Sequence, residues 1–198
     1  MRPEPCNAVE AERDLLTGLL NWRGVHRVLD RLTGEASASV PSSLVSLDLD
    51  RLYAANQLFG YDVIDVALTT IASLITAHLP TSSYAARVGG EEFLMILPNQ
   101  PLEVAYSAAE AVRQAVQDFS FTPPDLRLTI SAGVACSPAH SNWTATELLS
   151  LADMRLCVSK KRLVHSRNTV WAGRLPRGWA ATRDEFQDWP TFDDTPDY

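Results

Sequence analysis

The sequence predicts an α/β sandwich in which a central, mixed five-stranded sheet is flanked by helices. Three observations predict this class. Apolar residues recur at helical spacing in four segments, short apolar runs mark several strands, and the two kinds of segment alternate along the chain. One pair of strand segments is adjacent and the others are separated by helices, so the sheet combines a hairpin with longer crossovers.

The helices are identified by apolar residues three and four positions apart, and the strands by short apolar or alternating runs. The predicted helices are residues 22–32, 64–75, 104–115 and 148–156. The predicted strands are residues 43–50, 83–88, 91–98, 126–135 and 168–171, the last at an edge of the sheet. Gly34 and Pro80 follow the first two helices, as residues that terminate helices commonly do.

Two of the predicted strands are separated by the pair Gly89 and Gly90. Glycine adopts positive φ without steric cost, and two-residue hairpin turns require this conformation, so the pair predicts a tight β-hairpin. A backbone without Cβ atoms also allows a phosphate group to approach closely.

The net charge of -7 argues against a general nucleic-acid-binding protein, and it is unevenly distributed. Five of the seven units lie in the last 18 residues, so the rest of the chain is nearly neutral. No apolar run approaches the roughly 18 residues of a membrane-spanning helix, and the first residues lack the apolar segment of a secretory signal. We therefore expect a cytoplasmic protein without a membrane segment or a nucleic-acid partner.

A chain of 198 residues is suited to one domain with short extensions. We expect a short lead at residues 1–13, one folded domain at residues 14–172, and an acidic tail containing aromatic residues at 173–198. The sequence leaves open whether this is an entire protein or the catalytic part of a longer one.

Two acidic clusters fall where polar groups are unexpected. Asp48 and Asp50 end an apolar strand, and Glu91 and Glu92 follow the glycine pair of the hairpin. Carboxylates that converge repel one another, and a divalent cation that prefers oxygen ligands, Mg²⁺ or Mn²⁺, is the usual means of holding them together. The alternative is that each carboxylate lies at a solvent-exposed strand end.

Four motifs resemble those of one family. The run RVGGEEF (residues 87–93) resembles the signature hairpin of GGDEF domains, the diguanylate cyclases, in a GGEEF variant. DLLTGLLN (14–21) is similar to the family's entry motif, DLDRLYAANQLFGYDVID (48–65) to its metal and guanine segment, and ADMRLCVSK (152–160) to the late helix A-D-x-A-L-Y-x-A-K. The resemblance implies the palm-like fold of nucleotidyl cyclases, with the GGEEF motif on a β-hairpin.

The resemblance also implies a metal site and catalytic residues. The metal ligands would be the carboxylate of Asp48, the backbone carbonyl of Leu49 and the carboxylate of Glu91, with Mg²⁺ or Mn²⁺ as the cofactor. Glu91 would in addition accept the proton from the attacking hydroxyl group. Glu92 would support the metal or the ribose.

The same motifs imply how a nucleotide binds. Asn56 and Asp65 would recognise guanine, because an amide and a carboxylate together satisfy a base edge that carries both acceptors and N–H donors. The implied phosphate-binding positions are Arg87, Gly89, Gly90, Lys160 and Tyr53.

The activity implied is that of a diguanylate cyclase, which condenses two GTP molecules into cyclic di-GMP with release of two pyrophosphates. Each domain would hold one GTP, so catalysis would require at least a transient homodimer. An upstream sensor protein is a further expected partner.

The sequence departs from the family pattern at several positions. Tyr53 replaces a phosphate-contacting Lys, Gln57 an Asp, Tyr61 a His and Ile64 a Gly, and three residues are inserted within the segment 160–167. A phenol supplies no positive charge for a triphosphate. These departures favour an alternative, a weak or inactive GGDEF-like regulatory module that binds GTP or a protein partner. A nucleotidyl transferase with another nucleotide or product is a third interpretation.

The family's inhibitory product site, R-x-x-D, would fall on residues 80–83. The sequence there is PTSS, which contains neither Arg nor Asp. We therefore predict that the product does not inhibit through this position.

Overall fold

The structure, a computed structural model, describes residues 10–34, 41–139, 142–161, 167–175 and Thr191. A short 3-10 helix at Glu10–Glu12 precedes the main elements. The helices are α1 (Trp22–Gly34), α2 (Leu52–Phe59), α3 (Tyr61–Ala77), α4 (Leu102–Asp118) and α5 (Ala145–Lys161). The strands are β1 (Ser43–Leu49), β2 (Tyr84–Arg87), β3 (Glu92–Leu97), β4 (Ile130–Cys136) and β5 (Val170–Trp171).

The strands form one mixed five-stranded sheet in the order β2-β3-β1-β4-β5. Neighbouring strands are antiparallel except β4 and β5, which are parallel. The central strand β1 pairs on both sides, and its register places Asp48 opposite Glu92 of β3 and opposite Ser131 of β4. The predicted fold class is confirmed, and the central strand brings both acidic clusters to one end of the sheet.

Helices cover both faces of the sheet because successive side chains of β1 point to opposite sides. Val45 belongs to the same buried cluster as Ile71 of α3 and Val112 of α4. Leu44 belongs to a second cluster with Leu151 of α5 and apolar residues of α1. The two clusters together form the core of an α/β sandwich.

The packing of α5 on β4 is unusually close at Gly133. A Cβ atom there would lie 2.1 Å from the carbonyl oxygen of Ala152 and 2.1 Å from the backbone nitrogen of Leu156. Beside this contact, the buried guanidinium of Arg155 donates to the carbonyl of Val134 at 2.7 Å. Burial lowers the pKa of Arg155 to about 10. Arg155 stands where the late-helix motif has Ala.

The sequence predicts one helix between β1 and β2, and the structure contains two. The structure has two helices, α2 and α3, which meet at Gly60, whose φ of 83° ends one helix before the other begins. The first of them was missed because it is short and buries only Leu52 and Ala55, too few positions for a periodic signal.

Two details of the predicted strands are wrong. The hairpin between β2 and β3 has a longer connection, residues 88–91, and neither Gly89 nor Gly90 adopts positive φ, because a connection of this length does not need the two-residue turn. A Cβ atom at Gly89 would lie 2.1 Å from a carboxylate oxygen of Glu92, so the exposed end of that side chain would have to move. The strand predicted to begin at residue 126 begins at Ile130.

Within the described ranges, no helix combines the length and the apolar character needed to cross a membrane. Residues 1–9 of the predicted lead at 1–13, the segment 162–166 and nearly all of the predicted acidic tail at 173–198 lie outside the described residues.

Candidate functional site

The two acidic clusters meet where β1 ends beside the hairpin. The backbone N–H of Leu49 donates to the carbonyl of Glu91 at 3.1 Å, which joins the last residue of β1 to the GGEEF motif. One position earlier, Asp48 pairs in register with Glu92. The chain therefore brings together Asp48, Leu49, Glu91 and Glu92.

The environment of Asp48 and Glu91 disfavours the charged forms of these two carboxylates. Burial raises the pKa of Asp48, and the ion pair of its Oδ1 with Lys160 Nζ offsets part of that effect. Burial also raises the pKa of Glu91, and the neighbouring carboxylate of Asp48 raises it further. A cation at this position would relieve both effects.

The donor set suits a hard divalent cation that is completed by a ligand. No three His, Cys, Asp or Glu side chains in the described part of the chain are grouped to hold a metal ion by themselves. Asp48 and Glu91 nevertheless supply carboxylate oxygens, and an ammonium group already lies against Asp48. With the carbonyl of Leu49 and phosphate oxygens from a nucleotide, these residues fit Mg²⁺ or Mn²⁺.

The proposed guanine-recognising residues lie on α2 and α3, on either side of the Gly60 junction. The side-chain oxygen of Asn56 is buried and accepts no hydrogen bond from any described residue. A buried acceptor without a donor is costly, and an N–H group of a bound base would satisfy it. Asp65, one turn into α3, is exposed and accessible to a ligand.

The hairpin glycines and Arg87 line a cavity of about 610 Å³ together with Asp14 and Trp22. The guanidinium of Arg87 lies 3.3 Å from the carboxylate of Asp14 and donates to the carbonyl of Gly90 at 2.9 Å. Arg87 is thus held at the hairpin by the entry motif. Nothing lies within 4 Å of the position a Cβ atom would take at Gly90, so its backbone is open to a ligand.

The residues that depart from the family motif differ in their exposure to solvent. Tyr53 on α2 is 75% exposed, whereas Ile64 is 1% exposed and is part of the core. Lys160 at the end of α5 contacts Asp48. Arg167, which follows the inserted residues, still reaches the site, with its Nη1 3.8 Å from Oδ1 of Asp50.

Sequence reasoning missed two polar links that organise the site. One is the contact between Arg87 and Asp14, which the entry motif contains without indicating its partner. The other is the set of hydrogen bonds made by Asp50, a residue that the sequence groups with Asp48. The carboxylate of Asp50 accepts hydrogen bonds from the hydroxyls of Thr129 and Ser131, residues far away in the sequence.

Known proteins resemble this chain in sequence. The family model described as diguanylate cyclase, GGDEF domain, matches residues 11–165. A diguanylate cyclase of Vibrio cholerae is 31% identical over 152 residues, which are 76% of this chain and 47% of that protein. Diguanylate cyclase DgcM of Escherichia coli is 34% identical over 163 residues, 82% of this chain and 38% of that protein. The chain thus spans about half or less of the length of these curated relatives.

Solved structures show the same fold. The coiled coil and GGDEF domain of DgcB from Caulobacter crescentus, in complex with c-di-GMP, has a TM-score of 0.75 and 27% identity, covering 82% of this chain and 86% of that one. The active GGEEF domain of a diguanylate cyclase from Vibrio cholerae has a TM-score of 0.71 and 27% identity, covering 77% and 96%. Diguanylate cyclase SiaD from Pseudomonas aeruginosa, in complex with its activator SiaC, has a TM-score of 0.74 and 28% identity, covering 82% and 62%.

Proposed function

Since the chain belongs to the GGDEF family of diguanylate cyclases, we propose that it condenses two molecules of GTP into cyclic di-GMP. The observation that best supports this is the junction of β1 with the hairpin, where the Leu49 to Glu91 hydrogen bond brings the carboxylates of Asp48 and Glu91 to one place. Curated relatives that are diguanylate cyclases add further support.

The proposed chemistry is in-line displacement at phosphorus. The 3'-oxygen of one GTP attacks the α-phosphorus of the other, the bond from that phosphorus to the bridging oxygen breaks, and pyrophosphate leaves. Glu91 accepts the proton of the 3'-hydroxyl, and Glu92 supports the metal or the ribose. A Mg²⁺ or Mn²⁺ ion held by Asp48, Leu49 and Glu91 would polarise the α-phosphate and lower the pKa of the attacking hydroxyl.

Binding of GTP uses groups that lie around this junction. The buried oxygen of Asn56 accepts from a guanine N–H, and Asp65 accepts a second. Arg87 and the open backbone of the hairpin glycines face the phosphates. Lys160 pairs with the carboxylate of Asp48 in this structure. When the cation and nucleotide bind, Lys160 leaves that carboxylate and pairs with a phosphate oxygen.

The reaction needs two copies of the chain. Each domain holds one GTP, and two phosphodiester bonds form only when two such sites face each other. We therefore propose a homodimer, transient or stable, as the active species. An activating partner protein is a further expectation, in keeping with the complex of SiaD and its activator SiaC.

The test is product analysis with a matched pair of variants. Purified protein is incubated with GTP and Mg²⁺ or Mn²⁺, and the products are separated chromatographically. Glu91→Ala removes a carboxylate at the junction, while Glu103→Ala removes an exposed one in the first turn of α4. We expect cyclic di-GMP from the wild type and from Glu103→Ala, and none from Glu91→Ala.

A second function is favoured by one observation. Tyr53 presents an exposed phenol at the position of the family's phosphate-contacting Lys, which weakens the case for a fully charged triphosphate site. Binding of GTP without turnover, at concentrations that allow dimers, would support a regulatory module in place of the enzyme.

A further inference from the structure

Asp50 lies just beyond β1 and is only 5% exposed. Its Oδ2 accepts from the hydroxyl of Thr129 at 2.7 Å and from the backbone N–H of Asn168 at 2.8 Å, and its Oδ1 accepts from the hydroxyl of Ser131 at 2.9 Å. Its own N–H donates to the carbonyl of Thr129 at 2.8 Å. Both oxygens of the Asp50 carboxylate therefore accept hydrogen bonds from the protein itself. Asp50 thus differs from its neighbour Asp48, which is suited to bind a metal ion.

The chain at Asn168 is held from two further sides. Its N–H is shared with the hydroxyl of Ser131 at 3.0 Å. Its side-chain oxygen accepts from Arg113 at 3.0 Å and its side-chain nitrogen donates to Gln117 at 2.6 Å, both on α4. Asn168 has a φ of 63°, a left-handed conformation that asparagine tolerates better than most residues. The chain bends at Asn168, two residues before β5 begins, and we call residues 167 and 168 the 167–168 turn.

The turn carries Arg167 into the site. Its Nη1 lies 3.8 Å from Oδ1 of Asp50, and its side chain keeps 44% exposure. Its positive charge acts on the carboxylates of both Asp48 and Glu91, lowering the pKa of each against the effect of burial. A guanidinium that lies near both carboxylates and remains accessible can contact the phosphates of a nucleotide bound there.

We propose that Asp50 is a positioning residue, which fastens the 167–168 turn to the end of β1 and so holds Arg167 beside the phosphate-binding site. A carboxylate suits this role because it only accepts hydrogen bonds, and every group that meets it here is a donor. An amide at this position would turn a donor towards one of them. The ligand named in this inference, a triphosphate, rests on the proposed function.

The test uses Asp50→Asn and a matched control at the opposite end of the same strand. Ser43→Ala also removes a buried polar contact of β1, the hydroxyl that donates to the carbonyl of Gln100 at 2.8 Å, but it leaves the 167–168 turn intact. Ser131→Ala is a milder second variant, because it removes one donor to Asp50 and the longer of the two hydrogen bonds of the Asn168 N–H, and it keeps the carboxylate.

The first readout is hydrogen exchange of the Asn168 amide, measured without nucleotide. A hydrogen bond to a charged carboxylate is stronger than one to a neutral amide, so Asp50→Asn should accelerate exchange by about tenfold or more. Ser131→Ala should accelerate it less, and Ser43→Ala should not accelerate it selectively. An Asn168 amide that exchanges equally slowly in the wild type, Asp50→Asn and Ser131→Ala would overturn the proposal.

The second readout separates positioning of Arg167 from general damage. Affinity is measured for a non-hydrolysable GTP analogue and for guanosine, which has no phosphates. Asp50→Asn should weaken the triphosphate about tenfold and leave guanosine unchanged, and it should have little further effect when Arg167→Ala is already present. Equal losses for both ligands, or effects of the two substitutions that simply multiply, would overturn it.

Failure of the proposed function has a different signature. A wild-type protein that binds no GTP analogue, while its Asn168 amide still depends on Asp50, would contradict nucleotide binding and support the structural part of this inference.

Discussion

At the scale of single residues, Glu91 connects the chemistry of the site to pH. Burial and the carboxylate of Asp48 raise the pKa of Glu91 above its ordinary value of 4.5. As the pH falls through that raised pKa, Glu91 takes up a proton and can neither bind a cation nor accept the proton of a hydroxyl. Metal-dependent binding of GTP should therefore weaken at a pH above that expected of an ordinary glutamate, as a titration of affinity against pH would measure.

The same pKa predicts a pH dependence of stability. The folded protein binds this proton more tightly than the unfolded chain does, so the unfavourable contribution of charged Glu91 is fully present above the raised pKa and disappears as the pH falls towards 4.5. Glu91→Gln should be more stable than the wild type at pH 7, and this difference should shrink on acidification. Urea unfolding at several pH values measures it, and a difference that grows on acidification would contradict the assignment.

At the scale of elements, the contact between α5 and β4 sets how Lys160 reaches the site. A Cβ atom at Gly133 would lie 2.1 Å from backbone atoms of α5. Gly133→Ala must therefore push the helix and the strand apart. We expect a loss of about 1–3 kcal/mol in the free energy of unfolding. Gly90→Ala, where nothing lies within 4 Å, is the matched control and should leave stability nearly unchanged. Equal unfolding midpoints for the two variants would contradict this packing.

Elements also differ in how far sequence alone predicts them. The helix α3 is evident from Ile64, Ile71 and other apolar residues at regular spacing, and five strands were recognised with errors at their ends. The helix α2 has too few buried positions to give such a signal. The site shows the same limit, because the role of Asp50 depends on Thr129 and Ser131, about 80 residues away in the sequence. Local patterns single out Asp48 and Glu91, which the structure brings together, and do not distinguish Asp50 from them.

At the scale of the whole molecule, the proposed reaction requires two chains. If the dimer is transient, the rate of product formation should rise roughly with the square of protein concentration, so the activity per chain should rise with concentration. Activity assays combined with analytical ultracentrifugation measure both quantities. A constant activity per chain in a range where the protein is monomeric would contradict a catalytic dimer.

The distribution of charge along the chain determines what the net charge implies for ligand binding. A net charge of -7 by itself disfavours a polyanionic ligand, yet five of those units lie in the last 18 residues, outside the matched domain. Asp48 and Glu91 are suited to hold the cation that accompanies a triphosphate. Lys160 contacts Asp48, and the positive charge of Arg167 acts on both carboxylates. The acidic balance therefore does not oppose binding of one metal-chelated nucleotide.

The central claim is that the junction of β1 with the GGEEF hairpin condenses GTP. Its most direct test is mass spectrometry of the products after wild-type protein is incubated with GTP and Mn²⁺ at concentrations that sustain dimers. We predict cyclic di-GMP and two pyrophosphates for each molecule of it. GTP that remains unchanged, or that is hydrolysed to GDP and phosphate, would contradict the claim.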